Sequence, residues 1–220
     1  MSFSSDLKDH VPPSRWPAAE VDESFRVMAE LGAHIPFARD QEIYGQDEEA
    51  YLLYRLLSGG VRTSRTISDG RREIGDFFRK GDLFGFETGL EHRFAAEALQ
   101  DSVVLVLKRS TLNPNGGDLE RLDSASSNRG LARAQEHLSL LGRKSACEKV
   151  SGFLLELVRD CPGETIDLPM GRQDIADYLG LTSETVSRML SQLKATLIVS
   201  FSGKRHFQVT NPGALARLAA

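Results

Sequence analysis

Glu184, Ser187, Arg188 and Ser191 fall at i, i+3, i+4 and i+7, the spacing that places four side chains on one face of a helix. An arginine there can donate two parallel hydrogen bonds to O6 and N7 of guanine, and a carboxylate one turn earlier can accept from N4 of cytosine. In isolation a Glu-x3-Arg pair is more often a surface ion pair worth about 0.3–0.5 kcal/mol. The surrounding window, 172–193, reverses that preference. It supplies a small residue, Ala176, where two helices would cross, and Gly180 four positions later where a turn needs positive φ. Ile175, Leu179, Leu181, Val186 and Leu190 stand where a fixed inter-helix angle needs apolar contacts, and Thr182 is a good N-cap for the second helix. Val186, Met189, Leu190 and Leu193 make that helix's inner face, opposite Glu184 and Arg188. These features together predict a helix-turn-helix reading double-stranded DNA.

Residues suited to phosphates surround the window. Arg172, Thr182 and Ser183 lie at helix N-termini. Downstream, Ile198–Phe201 and His206–Val209 read as two short strands joined by a basic turn, a wing carrying Lys204 and Arg205. Such contacts position a protein on DNA without specifying sequence.

The elements that must hold this site lie upstream. Cys161-Pro162-Gly163 ends an amphipathic helix over Ser145–Arg159, whose apolar face is Ala146, Val150, Phe153, Leu154 and Leu157. Before it, Ser124, Ser127, Leu131, Ala134, Leu138 and Leu141 recur at three-four spacing, a coiled-coil-like seam broken only by Gly130. No heptad partner occurs elsewhere in the chain, so Leu131, Ala134, Leu138 and Leu141 are expected to form a dimer interface. From about Ile35 to Lys108 short apolar runs alternate with turn residues: Tyr51–Leu57, Val61–Ile67, Glu73–Phe78 and Ser102–Leu107, with turns at Gly59-Gly60, Asp69-Gly70 and Gly81-Asp82. Strands at this spacing imply an antiparallel sandwich or barrel. The division is residues 1–20 as an arm, 21–118 as the β domain, 119–142 as the dimerisation helix and 143–220 as the DNA-binding domain.

Composition narrows the classes. The chain has 220 residues, 40% hydrophobic and 26% charged, as in ordinary globular proteins. No apolar run approaches a membrane span, and the polar start lacks a secretion signal, so a cytoplasmic protein is expected. Cys147 and Cys161 are too few for a disulfide framework or a four-thiolate metal site, and the five histidines show no ligand spacing. Cys147 reads as a buried thiol. The net charge of −4 hides an asymmetry: 17 basic against 23 acidic residues over 1–142, but 10 against 8 over 143–220. A mildly basic end on an acidic body fits one DNA-binding domain joined to something else.

Ile175-Ala176-x2-Leu179-Gly180-Leu181-Thr182, followed by Glu184-Thr185-Val186-Ser187-Arg188, resembles the Crp–Fnr superfamily of transcription regulators. Leu57-Ser58-Gly59, Asp69-Gly70-Arg71-Arg72 and Gly81-Asp82-Leu83-Phe84-Gly85 extend the resemblance to the β region. It implies an α+β chain: an N-terminal antiparallel β-roll like cyclic-nucleotide-binding domains, a long dimerisation helix and a C-terminal winged helix-turn-helix. Glu184, Ser187 and Arg188 match the Fnr-type base-reading set, which implies a TTGA-type palindrome bound by a homodimer. Arg71-Arg72-Glu73-Ile74 and Leu168-Pro169-Met170 are similar to the FixK-like branch, whose members activate low-oxygen or nitrogen-fixation genes. RNA polymerase is the implied partner, with the loops Asp40–Glu49 or Asp69–Arg72 as candidate contacts.

Two departures matter. No cysteine precedes Cys147, so the Fnr iron–sulfur cluster is not expected, and no cofactor is assigned. Cyclic-AMP-binding members present an Arg-Ser pair; here Arg93 is followed by Phe94, and Glu97 adds negative charge, so no cyclic nucleotide is expected. Three other readings are open to the residues. A β-roll sensing another ligand would use hydroxyls such as Ser126 and Ser127. A cupin-like enzyme fails because the β region offers only His34 and His92, with no metal triad or nucleophile–base pair. A winged helix for protein contacts alone leaves the open Glu184–Arg188 face unexplained.

Overall fold

Short runs of alternating polarity bury one face each, so strands of this kind pair into sheets that close on one another. The computed structural model describes residues 31–112, 118–143, 145–158, 166–202 and 206–219. Its first part contains β1 (Ala33–Phe37), β2 (Glu42–Tyr44), β3 (Leu52–Ser58), β4 (Gly60–Thr66), β5 (Arg72–Arg79), β6 (Leu83–Phe84), β7 (Ala95–Ala98) and β8 (Ser102–Lys108). They form two antiparallel four-stranded sheets, ordered β1-β8-β3-β6 and β2-β7-β4-β5. Tyr44, Tyr54, Leu56, Val61, Phe84, Ala96 and Val104 form one core cluster of this roll, and Leu53, Leu105, Leu107 and Leu112 another.

The four expected strands are present within a residue or so at each end, and β1, β2, β6 and β7 are additional. β1 holds Pro36 and, among the described residues, pairs only with β8, an edge position where a missing N–H is tolerated. Asp69-Gly70 closes the β4–β5 hairpin, with Gly70 at φ 81°. Gly59 turns β3 into β4 at φ 92°, and a Cβ there would lie 2.1 Å from Ser102 Oγ. That hydroxyl accepts from Gly60 N and donates to Gln100 O, so the close approach ties the turn to β8.

The seam becomes α1 (Asp118–Arg143), 26 residues and about 39 Å long at 1.5 Å per residue. α2 (Ala146–Val158) follows, burying Val150, Phe153, Leu154 and Leu157 as expected. Cys147, at its start, is half-buried rather than enclosed, and Cys161 and the arm over residues 1–20 lie outside the described residues. Then come β9 (Ile166–Asp167), α3 (Arg172–Leu179), α4 (Ser183–Ala195), β10 (Val199–Ser202), β11 (His206–Val209) and α5 (Pro212–Ala219). β9 adds a third strand to the wing, in the order β10-β11-β9. α5 starts at a proline, with Asn211 Oδ1 accepting from Ala214 N, and it buries Leu215.

One apolar cluster draws residues from both sides of residue 143. Ile74, Phe77 and Leu99 of the roll belong to the same apolar cluster as Phe153, Ile175, Tyr178 and Leu190. The Phe77 ring lies 5.2 Å from that of Tyr178. Among the described residues no helix is long and apolar enough to cross a membrane, and no group of His, Cys, Asp and Glu is placed to hold a metal.

Candidate nucleic-acid interface

Each sequence requirement of the 172–193 window has a local physical outcome. Ala176 is fully buried where α3 meets α4, and its carbonyl accepts from Leu181 N at 2.9 Å. Gly180 ends α3 in the left-handed conformation, φ 61° and ψ 43°. Thr182 sits extended before α4, its hydroxyl accepting from Thr185 N at 3.2 Å. Val186, Leu190 and Leu193 are buried against Ile175 and Leu179, with Met189 packed at the margin.

The opposite face of α4 is open. Glu184, Arg188 and Ser191 are exposed and Ser187 is half-exposed. The Ser191 hydroxyl donates back to Ser187 O at 2.8 Å, so it is engaged with its own helix. Glu184 accepts from the Ser183 hydroxyl at 3.3 Å instead of pairing with Arg188. Its own backbone N–H, then the hydroxyls of Thr182 and Ser183, hold its carboxyl below the usual range. Glu184 is therefore an anionic acceptor, and among the described residues Arg188 is committed to no ion pair.

Around this face, Arg172 and Thr182 are exposed and Ser183 half-buried at the two helix N-termini. β10 and β11 form the wing hairpin, in register from Val199↔Val209 to Ser202↔His206. Lys204 and Arg205, between them, lie outside the described residues. On α1, Leu131 and Leu138 are 60% and 67% exposed, and Ala134 is exposed with them. Leu141 is half-buried, its Cδ2 directed towards Gly180 of the same chain.

The structure also shows how the roll holds the reading unit. Arg72 donates to Asp177 Oδ2 from Nε and Nη2, at 3.1 and 2.8 Å, and to Asp174 Oδ1 at 2.6 Å. Arg62 joins Asp174 Oδ1 at 2.9 Å and Glu97 at 2.9 Å. Burial works against the Arg72 charge, but the two aspartates more than offset it and raise its pKa. His137 of α1 stacks on Tyr178 at 3.9 Å, and its Nε2 donates to Tyr178 O at 2.6 Å. Arg79 donates to Leu157 O at 2.8 Å. None of these links was anticipated from sequence. Arg72, at the end of a turn offered as a candidate polymerase contact, donates to two aspartates of α3.

The sequence profile of the Crp-like helix-turn-helix domain matches residues 148–218, and that of the cyclic nucleotide-binding domain matches 34–114. The nitrogen fixation regulation protein FixK of Azorhizobium caulinodans is 43% identical over 94% of this chain and 90% of its own length. The chain belongs to the Crp–Fnr superfamily, in its FixK-like branch. FixK of Rhizobium meliloti is similar as well, at 40% identity over 81% of this chain and 83% of its own. The solved structure of FixK2 from Bradyrhizobium japonicum superposes with a TM-score of 0.81 at 45% identity, covering 86% of this chain and 98% of that one. As a Crp–Fnr member the protein is a DNA-binding transcription regulator and not an enzyme. Its architecture is the expected α+β arrangement of roll, long helix and winged helix-turn-helix.

Proposed function

We propose that the protein is a homodimeric activator of low-oxygen or nitrogen-fixation genes that reads a TTGA-type palindrome without cyclic nucleotide or iron–sulfur cluster. The observation that carries this reading is the outward face of α4, where Glu184 and Arg188 stand exposed, in no ion pair among the described residues, beside half-exposed Ser187. Arg188 would take guanine and Glu184 cytosine, with Ser187 between them, while Arg172, Thr182, Ser183, Lys204 and Arg205 hold phosphates. The relatives named as nitrogen fixation regulators support the class of target genes.

Dimerisation uses Leu131, Ala134, Leu138 and Leu141; two exposed leucines one heptad apart favour a second copy of α1. The two recognition helices then meet half-sites about one helical turn apart. Within the roll, Arg93 is already paired with Glu87 at 3.0 Å and Glu97 with Arg62, which leaves neither arrangement suited to a cyclic phosphate. Two cysteines cannot supply a four-thiolate cluster. The protein acts in the cytoplasm, with RNA polymerase contacting the roll.

Fluorescence anisotropy on a TTGAT…ATCAA duplex, beside a copy with both half-site guanines changed, tests the reading. The first duplex binds tightly and the second does not, and Arg188→Ala costs about 1–3 kcal/mol per half-site. Equal, salt-sensitive binding to both duplexes overturns it. Cyclic AMP and cyclic GMP at micromolar levels leave the melting temperature unchanged.

A further inference from the structure

We propose that Arg62 and Arg72, on the β-roll, are positioning residues for DNA recognition: through Asp174 and Asp177 they fix α3 and so the angle at which α4 is presented. The inference rests on the reading of α4 given above.

The geometry constrains more than distance. Asp174 and Asp177 stand three residues apart on α3, and Arg72 reaches both, with a two-donor grip on Asp177. Two anchor points almost one turn apart fix the rotation of the helix about its axis as well as its separation from the roll. Arg62 connects the first anchor to Glu97, so the chain of charges runs Glu97, Arg62, Asp174, Arg72, Asp177 across β7, β4, β5 and α3. The Asp174 side chain is only 7% exposed, and its other oxygen accepts from Gly171 N at 3.0 Å. One carboxylate thus caps α3 and ties it to the roll. Asp177 is braced in turn by Gln173 at 2.6 Å. A carboxylate this buried cannot lose its cations without cost, so the anchored orientation is strongly preferred. α3 and α4 share the buried contacts around Ala176, and α4 must follow wherever α3 is held.

A second role for these arginines, neutralising two acidic side chains that would otherwise repel DNA, makes the opposite prediction for one variant. Asp177→Asn removes an anchor and a negative charge together, so neutralisation alone predicts tighter binding and positioning predicts weaker binding.

The test uses the full-length dimer and the two duplexes above, with sedimentation and thermal unfolding confirming that each variant is a folded dimer. Arg72→Gln and Asp177→Asn each weaken binding to the TTGAT…ATCAA duplex by about 5–150-fold, the range of couplings between distant sites, and leave binding to the changed duplex nearly constant. The charge swap Arg72→Asp with Asp177→Arg recovers part of the loss. Arg72→Lys, which keeps the charge but not the two-donor grip, falls between, and supplies the reading if the swap does not fold. Unchanged or tighter specific binding in Asp177→Asn and Arg72→Gln overturns the proposal. Wild-type protein that does not discriminate the duplexes overturns the reading of α4 and this inference with it, whereas discrimination by wild type and all variants alike overturns this inference alone.

Discussion

The two helices of the reading unit, eight and thirteen residues long, put their charges to opposite uses. On α3 the carboxylates of Asp174 and Asp177 are consumed within the chain by Arg62, Arg72 and Gln173. On α4 Glu184 and Arg188 face outward, and neither meets a charge of opposite sign among the described residues. A charge satisfied internally sets geometry; one left open at a helix surface is available for recognition. The same division runs along α1. Arg133 pairs with Asp76 and Asp82 at 2.8 Å and Leu140 is buried, while Leu131 and Leu138 point out. Outward substitutions should therefore alter partner binding and spare stability, whereas inward ones should act on stability or, where they anchor α3, on the geometry with which α4 is held.

The largest test of that rule is Leu131→Glu combined with Leu138→Glu. Sedimentation should show a monomer that retains its circular dichroism, and palindrome affinity should fall by about 10²–10⁴-fold as two linked half-sites become one. A variant that remains a dimer and binds normally would show that these leucines are merely exposed. The inward counterpart is Ala176→Leu. Extra methylenes at a fully buried helix crossing should lower urea stability by about 1–3 kcal/mol, whereas Arg188→Ala should stay within about 0.5 kcal/mol of wild type.

How much was legible in sequence follows the same line. The helix-turn-helix could be read because its requirements are local: Ala176, Gly180 and Thr182 each do in the structure what their chemistry and spacing implied. Hairpin turns such as Asp69-Gly70 were visible for the same reason. β6 and β9 were not, since two-residue strands have no periodicity, and neither was β1, where Pro36 argues against a strand until its edge position is known. α5 carries a local start signal in Asn211-Pro212, an N-cap residue followed by a proline. The anchors on α3 had none. Arg62 and Asp174 are 112 residues apart, and no spacing rule connects an arginine on a strand with an aspartate on a helix in a different part of the chain. The family resemblance pointed to Arg72 without saying where it turns.

Thr182 sits between the two uses, capping α4 with its hydroxyl while standing exposed beside the outward face of that helix. Thr182→Ala should cost about 1 kcal/mol of stability, measured by urea denaturation, and Thr182→Ser should restore it. A stability loss that serine does not restore would mean that the methyl group, not the cap, is what matters.

The smallest expected effect belongs to a group that fits neither use. His92 is 1% exposed, stacked on Tyr44 at 3.8 Å, and neither ring nitrogen has a hydrogen-bond partner among the described residues. Burial lowers its pKa, and the nearby carboxylates of Glu87 and Glu48 do not offset the shift. The sign follows from linkage. The unfolded chain takes up this proton near pH 6.5, whereas the folded roll resists it until lower pH, so below that point the unfolded state binds more protons. The contribution is intact above the unfolded pKa and is lost as pH falls towards the folded one. Urea midpoints compared at about pH 7.5 and 5.5 should drop for wild type, and drop less for His92→Phe, which retains the stacking but cannot be protonated. Identical slopes would mean that the ring finds a partner when charged, which would move His92 from the unpartnered interior to the class of internally satisfied charges that Asp174 represents.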